Sequence, residues 1–327
     1  LFNHSIKNNS ISGDVAFKLL DTYGFPIELT QELASQQNIK VDMQGFKKCQ
    51  EQHSKVSKTN VPAKAMAIQN ANLMDYKDES LFIYDQDKIE SKVIAIFDKN
   101  FNPIEKTINN EDNWLVLDKT VVYATCGGEV ADIATLTINN NKYDVKDAIK
   151  GPNGQHFHLI VPIKPISIND KVLVELNIDE RKTIQATHTS EHLVQAALKQ
   201  IIDPNIKQMG ALKTHSKLTF DFQWPKKLSD DQLNKVESLI NKWIHDSLPV
   251  TTHMKTLEEA QAMGALAYFG EVYAKVKGKL RVVQIGDISL ELCGGPHVSN
   301  TSQLGTFKIK KEESSSAGVR RIKAILE

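Results

Sequence analysis

The chain has 327 residues, 41% of them hydrophobic, enough to bury two or three domain cores. Lys plus Arg and Asp plus Glu number 40 each, so bulk charge gives no argument for a nucleic-acid partner, and any such surface must come from local clustering. No apolar run approaches the roughly 18 residues of a membrane span, and Leu1-Phe2-Asn3-His4 lacks a signal-peptide pattern. The three cysteines, Cys49, Cys126 and Cys293, form no C-x-x-C pair, which argues against a disulfide framework and for a reducing, cytoplasmic setting.

Along the chain, Val15, Ala16, Leu19 and Leu20 recur at helical spacing behind Ser12 as N-cap, and Gly24-Phe25-Pro26 stops that helix. Further helices are expected after Thr30 and from about Met43 to Val56, making the first part helical. Weak periodicity around Pro62 places a boundary between Lys58 and Lys77, so residues 1–75 are expected to be a helical domain and its linker.

Short β-rich runs follow at Lys92–Phe97, Trp114–Leu117, Thr120–Ala124, Ala134–Ile138, His156–Val161 and Lys171–Leu176. Turns such as Asn139-Asn140-Asn141 and Gly151-Pro152-Asn153-Gly154 separate them, which predicts a small antiparallel barrel or sandwich over 76–178. From Asp179 a helix carrying His188 and His192 opens an α+β region over 179–327. It is expected to contain a helix from Ser229 to His245, strands near Leu218–Phe222, Arg281–Ile285 and Gly305–Lys310, and a terminal helix over Ala317–Leu326. The predicted class is α+β: a helical segment, a β-barrel, and a two-layer α/β core.

The chemistry concentrates in that last region. His188 and His192 are four residues apart on a predicted helix, so both imidazoles project from one face and can share a metal ion. Cys293 and His297 repeat the offset within Cys293-Gly294-Gly295-Pro296-His297, where glycine and proline favour a turn as the carrier. One thiolate with imidazoles selects zinc over magnesium or calcium. Four protein ligands usually close a structural zinc site, whereas a catalytic zinc keeps a place for water, and the sequence leaves both open.

His188-Thr189-Ser190-Glu191-His192-Leu193 followed by Cys293-Gly294-Gly295-Pro296-His297-Val298 resembles the paired signature of the alanyl-tRNA synthetase editing domain and its free-standing AlaX-type relatives. The resemblance extends to Asp21-Thr22-Tyr23-Gly24-Phe25-Pro26, to Gly127-Gly128 with Asp132, to Phe269-Gly270-Glu271 with Tyr273, to Ser289-Leu290-Glu291-Leu292, and to Ala317-Gly318-Val319-Arg320-Arg321-Ile322. The first of these blocks is similar to the synthetase's tRNA-recognition region, so the chain is expected to be a fragment of the synthetase family. The ATP- and magnesium-using domain would belong to the missing part of the parent.

The resemblance implies hydrolysis of serine or glycine wrongly esterified to the 3′ end of tRNA(Ala), at a zinc held by His188, His192, Cys293 and His297. It also implies pocket roles for Gln208, Gly127 and Gly128. In isolation Gln208 also reads as a surface residue at a helix end, and the glycine pair as an ordinary turn. Glu191 is expected to face solvent or to orient a ligand. Arg320, Arg321 and Lys323, near Lys308, Lys310 and Lys311, form the densest basic stretch and are either RNA contacts or a solvated face. Asp21 matches an acidic position used near the acceptor stem. His156 and His158 alternate on a strand without further ligands and are expected to be structural.

Pro296 stands where threonine is usual, Ala211 where serine is, Thr187 where asparagine is, and Cys126 and Glu129 where serine and glutamine are. These departures bear on the efficiency of hydrolysis and leave the four ligands intact. Two rival readings remain: a non-catalytic tRNA-binding module with a structural zinc, and a protein in which zinc only staples the fold.

Overall fold

The computed structural model describes residues 10–16, 34, 39–46, 48, 73, 76–266 and 278–327. The chain divides into two compact units, Leu1–Met66 and Ala67–Glu327. In the first, helical turns at 13–16 and 43–46 accompany two short parallel strands, β1 (Ser10–Ile11) and β2 (Lys40–Val41). Ile11, Ala16, Ala34, Ile39 and Phe46 form their common core. Most of the expected helical segment lies outside the described residues, and the strand pair was not foreseen. Asp21 and its block lie outside the described residues, as do Phe269, Gly270, Glu271 and Tyr273.

The second unit is mixed α/β. It opens with β3 (Leu81–Phe82), β4 (Lys88–Asp98), β5 (Asn113–Leu117), β6 (Lys119–Thr120), β7 (Ala134–Ile138), β8 (Asn141–Asp144), β9 (Asp147–Lys150), β10 (His156–Ile160) and β11 (Lys171–Leu176). Seven of these form one antiparallel sheet in the order β8-β7-β11-β4-β5-β10-β9, while β3 and β6 pair in parallel. A bulge between Val93 and Ala95 re-aims the long β4, which lets one strand serve both halves of a curved sheet. Its edges β8 and β9 are not paired with each other among the described residues, so the expected barrel is an open half-barrel. Alternating residues such as Leu136, Ile138, Val172 and Val174 fill its core. Of the expected strand at Thr120–Ala124 only Thr120 is in a strand, as the second residue of β6, and residues 121–124 are irregular.

Two buried histidines tie this sheet together. His158 Nδ1 donates to the Leu115 carbonyl at 3.1 Å and its Nε2 accepts from the Thr120 hydroxyl at 2.9 Å, which fixes a neutral tautomer. His156 Nδ1 donates to the Val122 carbonyl at 3.2 Å, and its ring stacks on Phe82. Both therefore have structural partners.

The remaining elements are α1 (Ile178–Ile201), β12 (Gln208–Lys213), β13 (Leu218–Gln223), α2 (Asp230–His245), β14 (Val250–Lys255), α3 (Leu257–Ala262), β15 (Leu280–Ile285), β16 (Ser289–Leu292), β17 (Phe307–Ser316) and β18 (Val319–Leu326). The strands make two sheets, β12-β13-β18-β17 and β14-β15-β16. Helix α2 starts in a capping box between Ser229 and Gln232, and its Val236, Ile240, Trp243 and Ile244 pack with Leu193, Val194, Ala197 and Leu198 of α1 over Phe220, Phe222 and Ile322. None of the helices among the described residues is long and apolar enough to cross a membrane.

The expected terminal helix over Ala317–Leu326 is instead β18, paired with β13 on one side and β17 on the other. Val319, Ile322 and Ile325 recur at a helix-compatible spacing, but Gly318 at φ 73° closes a hairpin and commits the segment to the sheet. Ile322 and Ala324 then face the core at the period of two that a strand requires.

Burial lowers the His158 pKa from its ordinary value near 6.5 to about 4. Its neutral form therefore stabilises the fold fully above about pH 6.5, and that contribution, roughly 3 kcal/mol, is lost as the pH falls through about 4. Denaturant unfolding between pH 7 and pH 4 should show a shallower acid decline for His158→Gln than for the natural chain. Parallel slopes would remove His158 from the acid response.

Candidate metal centre and its pocket

Helix α1 is well specified at its ends: the Asn177 side chain caps Glu180 N–H, acidic residues occupy the first turn, and Lys199 sits in the last. Its buried side is unusual in being polar, with Arg181, His188, Thr189, Glu191, His192 and Gln195 all enclosed. Arg181 is fixed by Asp132, to which its Nε donates at 2.7 Å, and by the Val121 carbonyl at 2.6 Å. This joins the start of α1 to the loop that follows β6.

About two turns further on, His188 and His192 share a face, with ring centroids 5.5 Å apart. Cys293 and His297 approach from the irregular loop after β16. The Cys293 Sγ lies 3.3 Å from Nε2 of both His188 and His297. One ligand atom from each of the four residues falls within 4.8 Å of every other, so the sequence-predicted quartet is gathered at one point and could hold a metal ion.

Outer contacts orient the imidazoles. Thr189 donates its hydroxyl to the Gln185 carbonyl at 2.8 Å and so accepts from His297 Nδ1 at 3.0 Å, leaving the His297 Nε2 lone pair toward the sulfur. His188 Nδ1 is 2.5 Å from Glu129 Oε2 and His192 Nδ1 is 3.6 Å from Glu291 Oε2. Neither pair is a well-formed hydrogen bond, and those buried ring nitrogens and both Glu129 oxygens lack another partner. Carboxylates behind imidazoles are the arrangement a bound cation rewards, because it polarises each N–H toward the acid. Gly295 makes the closest pair possible: a Cβ there would lie 2.2 Å from His188 Cε1 and 2.7 Å from Glu129 Oε2. The loop is held from outside by Arg281, which donates to the Cys293 and Gly295 carbonyls at 3.1 and 2.7 Å. Tyr84, under the Arg281 guanidinium, donates its hydroxyl to the Gly294 carbonyl at 2.9 Å.

Burial dominates the electrostatics. It lowers the His188 and His297 pKa values well below the usual range and that of His192 to about 3; Lys213 and Arg281 add to the effect at all three, and neighbouring imidazoles at His188 and His297. Three neutral imidazoles therefore present lone pairs. Burial also pushes the Cys293 thiol up to about 12 and the Glu291 carboxyl to about 8. Glu129 is raised well above its ordinary value by burial, with Lys213 acting in the opposite direction.

The cluster borders a cavity of about 490 Å³ whose wall includes Tyr84, Cys126, Gly127, Gln208 and Lys213. Of the two expectations for Glu191, the solvent-facing one does not hold: the residue is 4% exposed and lies at the cavity wall, with its Oε2 3.6 Å from His188 Nε2. Its Oε1 accepts from Gln208 Nε2 and its Oε2 from Lys213 Nζ, each at 2.6 Å. Gln208 therefore begins β12 inside the pocket rather than lying on the surface. The two glycines divide their roles: both have positive φ, but a Cβ on Gly128 would meet the Ala211 carbonyl oxygen at 2.0 Å, whereas one on Gly127 would meet only open space.

Arg320, Arg321 and Lys323 lie on β18 and are paired with carboxylates. Arg320 binds Glu312, Arg321 binds Asp221 through Nε and Nη2 at 2.6 Å each, and Lys323 binds Glu313 at 2.6 Å. Sequence reasoning did not single out Lys213, Arg281 or Thr189, and it gave Glu129 and Glu291 no contact with the ligands. The one signal available was the position of Glu129 beside the glycine pair and of Glu291 two residues before Cys293.

A family model described as tRNA synthetases class II (A) matches residues 1–182, and one described as threonyl and alanyl tRNA synthetase second additional domain matches residues 280–323. The chain is 40% identical to an alanine–tRNA ligase of Ureaplasma parvum serovar 3 over 324 residues, 98% of this chain and 35% of that protein. It is 41% identical to that of Mycoplasmoides gallisepticum over 327 residues, 98% of this chain and 36% of the relative. With that of Geobacillus thermodenitrificans it shares 40% over 318 residues, 96% and 36%. The chain belongs to the alanyl-tRNA synthetase family and spans about a third of the length of these relatives.

If the quartet holds a metal, its affinity should depend both on the ligands and on the carboxylates behind them. Titration with zinc should find one tight site per chain, lost in Cys293→Ala and weakened roughly 10- to 100-fold in Glu291→Gln. Unchanged affinity in Cys293→Ala would dismiss the quartet as a metal site.

Proposed function

We propose that this chain hydrolyses serine or glycine wrongly esterified to the 3′ end of tRNA(Ala), at a zinc site formed by His188, His192, Cys293 and His297. The observation that carries this reading is the meeting of those four residues beside a cavity whose wall contains Gln208 and Gly127. The donor set suits the metal: zinc with three nitrogen ligands and one sulfur ligand at about 2.0–2.3 Å has ligand separations of roughly 3.3–3.6 Å, within reach of the separations described. A bound zinc would supply a Lewis-acidic positive charge at the pocket wall.

The chain's own residues define the rest. Glu191 orients the Gln208 amide, leaving its second N–H and its carbonyl to position water or the ester. Gly127 leaves room for the terminal nucleoside to approach the backbone. Polar groups on the cavity wall, such as Gln208 and Lys213, can hydrogen-bond the serine hydroxyl, which alanine lacks, and discrimination on that basis is far stronger than apolar contacts alone achieve. For the whole protein we propose attachment of alanine to tRNA(Ala) with ATP and magnesium, in the cytoplasm. Acceptor-stem contact at Asp21, Arg320, Arg321 and Lys323 belongs to the same proposal; the last three would exchange carboxylate partners for phosphate.

The four-ligand count favours a second reading, a tRNA-binding module with a structural zinc. The two separate in one experiment on seryl- and alanyl-tRNA(Ala), with and without chelator and with Cys293→Ala. The hydrolase reading expects serine to leave at least about 100-fold faster than alanine, in a zinc- and Cys293-dependent manner. Binding of tRNA by zinc-loaded protein without release of serine or glycine would establish the second reading instead.

A further inference from the structure

Lys213 ends β12 at only 2% exposure, yet it borders the cavity beside the metal ligands. An ammonium has three N–H donors in tetrahedral directions. One is taken by the Gly127 carbonyl at 2.7 Å and one by Glu191 Oε2 at 2.6 Å. Among the described residues the third has no partner. Because Gly127 and Glu191 both belong to the cavity wall, the ammonium is braced between two parts of that wall. A full positive charge in a site shielded from bulk water acts far more strongly on a nearby developing charge than the same group at a surface.

We infer that Lys213 is a catalytic residue whose remaining N–H stabilises the negative charge developing on the ester carbonyl oxygen. This rests on the hydrolytic reading above. In the reaction a water oxygen bonds to the carbonyl carbon while the carbonyl π pair moves onto its oxygen, the atom that the remaining N–H of Lys213 would meet. Collapse restores the carbonyl and breaks the bond to the ribose oxygen, which takes a proton from the attacking water. The products are the free amino acid and an uncharged 3′ end. Glu191 and Gly127 position the amine: the carboxylate keeps it charged, and the backbone carbonyl fixes its direction without adding a second formal charge. The competing role is that of a counter-ion, in which Lys213 only neutralises the buried carboxylates around it.

The test uses the zinc-loaded chain and its Lys213→Arg, Lys213→Met and Lys213→Met/Glu191→Gln variants. The double variant removes both charges, so that no carboxylate is stranded where the single variant fails to fold. Steady-state release of serine from seryl-tRNA(Ala) is measured together with binding of two stable seryl-adenosine analogues, one with an amide and one with an anionic tetrahedral phosphonate in place of the ester. We expect kcat to fall roughly 100- to 1000-fold in the folded variants lacking the amine, with KM changed less than about threefold. Phosphonate affinity should fall by a comparable factor while amide affinity holds, and Lys213→Arg should recover part of both losses. A double variant that keeps kcat and phosphonate affinity within about threefold of the natural chain would reduce Lys213 to a counter-ion and leave the hydrolytic reading intact. Equal binding of the two analogues by the natural chain would overturn the inference whatever the variants do. Failure of the natural chain to release serine would remove the hydrolytic reading and this inference with it.

Discussion

A helix that turns charged and polar side chains inward must find partners for every one of them, and α1 sets that constraint for the second unit. Arg181, His188, Thr189, Glu191, His192 and Gln195 are enclosed on one helix. Unpaired, each would cost free energy comparable to a lost hydrogen bond or more. The partners come from distant parts of the chain: Asp132 and Val121 from the loop after β6, His297 and Cys293 from the loop after β16, and Gln208 and Lys213 from β12. Satisfying α1 therefore pulls the half-barrel, the α/β layer and the small three-stranded sheet onto a common line.

The apolar cores do not supply this convergence. One fills the half-barrel and the other lies between α1, α2 and the four-stranded sheet. Hydrophobic burial specifies that those layers form, but it is non-directional and cannot by itself place a sulfur 3.3 Å from two imidazole nitrogens. Directional contacts do that: Arg281 on two loop carbonyls, Tyr84 on a third, and the absence of a side chain at Gly295. The position of the loop is thus decided by a guanidinium, a phenol and a missing methyl group.

Much of the site was legible because its ligands come as two local pairs whose spacing has meaning on its own. An H-x-x-x-H on a helix needs no tertiary information to be read, and five strands of the half-barrel announced themselves by alternation and Asn- or Gly-rich turns, whereas its edge strands β8 and β9 did not. The outer contacts were not legible in that way. Glu129 meets His188 and Lys213 meets Glu191 only because separate elements pack together, and a single glutamate or lysine in a strand-rich stretch carries no local mark of burial. The end of the chain misled for a related reason: Val319 to Leu326 fits two periodicities, and the choice is made by backbone pairing with β13 and β17.

The paired cations of β18 have a consequence for association with any polyanion. Arg320, Arg321 and Lys323 already hold Glu312, Asp221 and Glu313, so their charge is largely compensated before a partner arrives. A phosphate reaching that strand would enter an exchange of one anion for another, and few condensed counterions would be set free by it. The strand's contribution to long-range attraction is correspondingly small, and any phosphate contact there would depend on shape and on hydrogen-bond geometry.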